Sequence, residues 1–257
     1  MKKSDIFFYL IIGSSISTVF MFVYSLFNLP FWLWDLKECF SVMEVSNFLI
    51  NHFHIILYIS LTPVIAFLIT RTVYKGYFYI KEYFRLKKVL KEKKIKEVNN
   101  IVIIDFEPLT AFNFGIIKRK IVLSKTVLNL QEKKYIFIHE KAHFKGRDSF
   151  KLFVVSILSL LFPMSEKIKK QFSLMKEVEA DFFAKKDNVS YAKALLNFYT
   201  YKSSFDVPMA NSYIENRIMY ILGEKDFHVP RILYLPLIAL FITIFSILFK
   251  TCFCGVM

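Results

Sequence analysis

From Ile6 to Trp34 the chain carries no charged side chain, and from Val45 to Thr70 it again carries none. Each run exceeds the roughly 20 apolar residues that cross a bilayer as a helix. In lipid every backbone amide must find its partner inside its own segment, so such runs dictate helices. A third run, Ile232 to Phe249, lies between Arg231 and Lys250. The first run is too long for the core of a signal peptide and lacks a small-residue cleavage site, so it reads as a retained span. A composition 55% hydrophobic, with Phe 30, agrees with a membrane protein rather than an ordinary soluble domain.

Charge orients these spans. Arg71 closes the second, and a basic run from Lys81 to Lys96 follows. The stretch between the first two spans, residues 35–44, holds Asp35, Glu38 and Glu44 against Lys37. Lysine and arginine gather on the cytoplasmic side, which puts the N-terminus and the basic run inside and residues 35–44 and 251–257 outside. The net charge of +14 is thereby assigned to the membrane surface, and no nucleic acid partner is expected. The expected layout is two transmembrane helices over 1–72, a basic amphipathic linker over 73–100, a catalytic domain over 101–230, and a last span with an outer tail over 231–257. The apolar stretch 150–164 is short and contains Lys151. It lies between the two halves of a metal site, so a full crossing there would separate them. It is expected to be a core helix, a re-entrant segment or a half-inserted helix.

That metal site begins with His139-Glu-Lys-Ala-His143. A helix with Asn129 as its N-cap and Glu132 in its first turn, running to about Lys145 with Gly146 as its end, puts both histidines on one face. Lys134, Lys141 and Lys145 then face water. Glu140 lies about 100° round from His139. It can flank a metal without ligating it and take a proton from water. A catalytic zinc ion (Zn2+) needs a third protein ligand. In Lys176-Glu-Val-Glu-Ala-Asp-Phe-Phe-Ala184, Glu177 and Asp181 share a face with the small residues Ala180 and Ala184. Glu177 is read as the third ligand. Asp181 is read as the acceptor for the free ring N–H of His139. Glu179 points away, near Lys186, and is given no role.

Other candidates carry less. Arg217 is read as a surface salt bridge rather than a partner for Asp181 or an oxyanion. His228, His52 and His54 are read as interfacial. Cys39, Cys252 and Cys254 all fall on the expected outer side, where a disulfide from Cys39 is possible; the C-terminal Cys254-Gly-Val-Met257 is read as a chance likeness to a prenylation box. Ile101–Asp105 and Lys120–Ser124 read as strands, and a strand edge beside the helix could pair with an extended peptide.

The HExxH and ExxxD elements together resemble the gluzincin metallopeptidases. Ala111 to Ser124, His139 to Asp148 and Asn211 to Leu222 narrow the likeness. They resemble the strand pair, the active helix with its following Asp, and the R-I-x-x-L element of the Bla/Mec-type regulatory membrane zinc peptidases. The resemblance implies a zinc domain facing the cytoplasm that cleaves a repressor. Members that sense beta-lactams carry a penicillin-binding domain after the last span. Only seven residues follow Lys250 here, so the expectation is that a separate sensor or the membrane supplies any signal.

The expected fold class is therefore a mainly α membrane protein, with transmembrane helices plus a small α+β gluzincin-like domain. The expected function is a membrane-embedded zinc endopeptidase acting on a protein or peptide substrate at the cytoplasmic side. Its metal ligands are His139, His143 and Glu177, and Glu140 is the catalytic base. The rival readings are a quality-control or CAAX-type processing peptidase and a non-catalytic signalling scaffold.

Overall fold

The computed structural model describes residues 3–42, 45–106, 109–162, 164–185, 188–203, 214 and 217–223. The chain is mainly helical with one small mixed sheet. It divides into two compact units. One comprises residues 1–77, 157–166 and 231–257; the other comprises 78–156 and 167–230.

In the first unit, α1 (Lys3–Val42) contains a stretch from Ser4 to Pro30, with an 18-residue window of mean hydropathy 2.1, long and apolar enough to cross a membrane. Its hydroxyls do not break the helix, because they return to it. Ser14 donates to the Leu10 carbonyl at 2.7 Å and Ser15 to the Ile11 carbonyl at 2.6 Å. The expected outer loop over 35–44 is mostly helix, since α1 continues to Val42. α2 (Val45–Glu92) is also longer than the run Val45 to Thr70. Nothing after Arg71 breaks a helix, so polar and basic residues extend it far beyond the apolar part. The third expected span, together with His228, Cys252 and Cys254, lies outside the described residues, as do the side chains of Cys39, His52 and His54.

The second unit begins with the end of α2 and a four-stranded sheet: β1 (Lys94–Val98), β2 (Ile101–Ile104), β3 (Ala111–Phe114) and β4 (Lys120–Ser124), in the order β1-β2-β4-β3. The basic linker thus ends sooner than expected. Lys94 to Val98, at its end, form an exposed edge strand whose lysines discourage pairing with another chain. β2 and β4 run parallel, Ile101 opposite Ile121, while β3 returns antiparallel to β4 with Asn113 opposite Ile121. Gly115, at φ +105°, closes the β3–β4 turn; a Cβ there would lie 2.1 Å from the Lys118 carbonyl oxygen.

Alternation along β4 gives the sheet two apolar faces. Ile121 and Leu123 join Leu109, Val127 and Ile136 on one side. Val122 joins Val102, Ile104 and Leu90 of α2 on the other. The first face holds α4 (Lys133–Gly146) against the sheet. Asn129 is not its cap. It closes the short α3 (Lys125–Leu128), and Glu132 precedes α4 without a side-chain cap. α4 ends at Gly146, with Arg147 in the left-handed region at φ 56°.

α5 (Asp148–Leu158) and a 3-10 turn, Ser159–Leu161, form the disputed apolar segment. At 1.5 Å per residue α5 is about 16 Å long, half the thickness of a hydrocarbon core of roughly 30 Å. α6 (Ser165–Ala184) and α7 (Asn188–Ser203) follow, and residues 217–222 are helical. Ala184, Tyr191, Leu195 and Ile221 form the cluster that joins these last helices.

Candidate metal centre and active site

Helix α4 presents His139 and His143 on its buried face, while Lys134, Lys141 and Lys145 are exposed. The two Nε2 atoms are 3.0 Å apart. Glu177, from α6, approaches both: one oxygen lies 3.3 Å from Nε2 of His139 and the other 3.5 Å from Nε2 of His143. The buried Ala180 and Ala184 supply the small surface expected on the same helix.

Each histidine turns its other nitrogen to a carboxylate. Nδ1 of His139 is 3.0 Å from Asp181, and the Tyr191 hydroxyl donates to the same oxygen at 2.8 Å. Nδ1 of His143 is 2.9 Å from Asp148. These partners assign the ring proton to Nδ1 in both rings, which leaves lone pairs on both Nε2 atoms. Two lone pairs then meet the Glu177 carboxylate, whose one oxygen is also paired with Arg217 at 3.0 Å, an arrangement that a cation or a proton can bridge. The donor set thus fits a metal ion held by His139, His143 and Glu177.

The electrostatics say the same. Burial lowers the His143 pKa, but the charge of Glu177 and the bond to Asp148 outweigh it and push it up to about 10. His139 is also raised, Asp181 and Glu177 overcoming its burial. Burial would raise Glu177, yet Arg217 and His143 hold it well below the usual carboxylate range. Asp181 is lowered against its burial chiefly by Arg217, and burial with Asp181 raises the Tyr191 phenol.

Glu140 is buried beside this group. Asn113 of edge strand β3 donates to its carboxylate at 2.6 Å and to its backbone carbonyl at 2.8 Å. Asn113 Oδ1 is buried with no hydrogen-bond partner among the described residues. A cavity of about 490 Å³ opens over these groups, lined by β3 from Ala111 to Phe114, by His139, Glu140 and Glu177, and by Tyr191 and Arg217.

Sequence reasoning missed three supports. Arg217 is not a surface residue. It is 3% exposed, bonds Asp181 through Nε and Nη2 at 2.7 Å each, and lies 3.0 Å from Glu177. A solvent-facing pair was the bland expectation for a lone arginine, and only two acids on a facing helix could have argued otherwise. Lys176, 1% exposed, pairs with Asp148 at 3.2 Å and Glu179 at 3.4 Å. Glu179 therefore faces Lys176; Lys186 lies outside the described residues. Gly146 makes room for this arrangement, because a Cβ there would stand 2.7 Å from Asp148 Oδ1.

Two histidines one turn apart with a flanking glutamate, joined by an acid from a second helix beside a cavity, form a group that could hold a metal ion. The family model described as BlaR1 peptidase M56 matches residues 40–221, and the chain belongs to that peptidase family. No curated protein matches it.

Proposed function

We propose that the protein is a membrane-anchored zinc endopeptidase that cleaves a cytoplasmic repressor or a membrane-associated protein. The observation that carries the reading is the convergence of His139, His143 and Glu177 beside a buried Glu140 whose carboxylate is held by Asn113. Zinc bonds of 2.0–2.1 Å in a tetrahedron imply donors about 3.3 Å apart. The two imidazole nitrogens are 3.0 Å apart, near that value, and all three ligand atoms lie within 4.8 Å of one another. The ion, when bound, supplies a Lewis acid for the scissile carbonyl and makes water acidic enough to attack near neutral pH.

The remaining chemistry belongs to the chain. Glu140 accepts the proton of the attacking water and returns it to the leaving amine. Asn113 fixes the Glu140 carboxylate. The outer edge of β3 offers backbone groups to an extended peptide. Asp181 and Asp148 hold the two imidazoles in the ligand tautomer.

Membrane attachment through spans 6–34, 45–70 and 232–249, with the catalytic domain inside, follows from the charge asymmetry already described. The family supports the regulatory reading over general quality control.

Zinc per molecule in detergent tests the site. Wild type and Glu179→Ala should hold close to one equivalent, and His139→Ala and Glu177→Ala should lose it. A folded, zinc-replete wild type without metal would sink the proposal. Gly146→Ala makes a finer test. Alanine favours the helix by up to about 1 kcal/mol, so the zinc-free protein should not lose stability. The added methyl swings Asp148 away from His143, and zinc affinity should fall about 10- to 100-fold in a chelator competition. Unchanged affinity would mean that Asp148 does not orient the ligand.

A further inference from the structure

The second unit has another cavity, of about 710 Å³, on the sheet face away from α4. Leu90, Val102, Phe114 and Val122 line it, and lysines stand around them. Val102 and Val122 belong to β2 and β4, the two central strands, whose backbones are paired on both sides. This floor therefore offers no free amide or carbonyl. A peptide laid on it would desolvate its own backbone without compensation, whereas a hydrocarbon chain has nothing to satisfy.

The rim is electrically unbalanced. Its carboxylate, Glu97, is already engaged by Lys94 at 3.2 Å and by Lys120. Lys87, Lys91 and Lys118 line the same cavity, are exposed, and have no ionic partner among the described residues. Just before them on α2, Phe78, Ile80 and Phe84 are exposed beside Lys81. Aromatic side chains mixed with lysine are the composition of a membrane–water interface.

We propose that this cavity seats one anionic phospholipid, with an acyl chain over Val102 and Val122 and its phosphate among Lys87, Lys91 and Lys118. The volume falls within the roughly 300–1,000 Å³ of small-ligand sites, so it suits a single chain rather than a protein surface. The proposal rests on the membrane reading only for the supply of the lipid. It also reaches the catalytic cavity. Tyr83 stacks on Phe114 with ring centroids 5.0 Å apart, and both residues line both cavities.

The test uses the full chain in a neutral detergent. Dioleoylphosphatidylglycerol and dioleoylphosphatidylcholine are titrated separately, and bound lipid is counted by native mass spectrometry. One phosphatidylglycerol should be retained at least tenfold more tightly than phosphatidylcholine. The preference should vanish in a Lys87→Gln, Lys91→Gln, Lys118→Gln triple variant. A phosphatidylglycerol with a diazirine on its acyl chain should crosslink to peptides containing Leu90, Val102 or Val122. Equal retention of both lipids, an unaffected triple variant, or crosslinks confined to residues 1–77 would overturn the proposal. So would full displacement by inorganic phosphate or by an acidic, apolar peptide, which would reveal an anion site or a protein-docking site instead. None of the three lysines approaches the metal group, so the triple variant should keep its zinc. A negative lipid result with zinc intact would leave the peptidase reading standing.

Discussion

Glu140→Gln should lower kcat for peptide hydrolysis by about 10²- to 10⁴-fold, the usual contribution of a positioned general base, and leave bound zinc at the wild-type level. The two effects separate because Glu140 is buried beside the metal group while His139, His143 and Glu177 provide the convergent donors. Glutamine has the same length and can still accept the bond from Asn113 that positions the carboxylate at 2.6 Å. What it loses is basicity. An unfolded protein substrate and a quenched fluorescent peptide library provide the activity readout, and elemental analysis provides the zinc. Retained turnover would remove Glu140 from the reaction. Loss of zinc together with activity would make it a ligand or a structural support instead.

Arg217→Met should be the most destabilising single change at the site, and mainly in the zinc-free protein. The guanidinium is buried against Asp181 and Glu177, and it forms two bonds to the former. Removing one partner of a buried ion pair costs about 3–5 kcal/mol, because the other charge remains without compensation. Here two carboxylates would remain. Zinc bound by Glu177 would offset part of the loss, so the difference between variant and wild type should shrink when the metal is restored. Thermal unfolding in detergent, with and without chelator, measures both numbers. An effect below about 1 kcal/mol, as for an exposed pair, would show that this pair contributes little.

The parts legible from sequence were those set by local periodicity. Histidines four apart on a helix must share a face, and so must Glu177 and Asp181; the structure brings the four side chains together. β4 was read to its full length, and β2 to within a residue, from runs of β-branched residues. The misses have a different origin. Asn129 looks like a helix cap by type, but α3 claims it first, and no residue type announces a four-residue helix. Lys94 to Val98 were read as the end of the basic amphipathic linker over 73–100, because the lysines that keep an edge strand from pairing with other chains give it the composition of that linker. Arg217 was read as a surface pair and Lys176 was not singled out, because the meaning of both depends on which acids face them in space. A buried cation has no local signature when its partners lie up to 40 residues away, as Asp181 and Glu177 do from Arg217.

The end of α4 bears on how this metal group could be moved or copied. Grafting the five residues from His139 to His143 onto another helix would carry both imidazoles but leave one of them unsteered. The carboxylate that steers His143 reaches it only because the helix stops at Gly146, turns through a left-handed Arg147 and drops Asp148 back beside the ring. A helix continuing smoothly past this point would keep every ligand and lose that alignment. Where the helix terminates would therefore matter to metal binding as much as the residues that would donate to an ion.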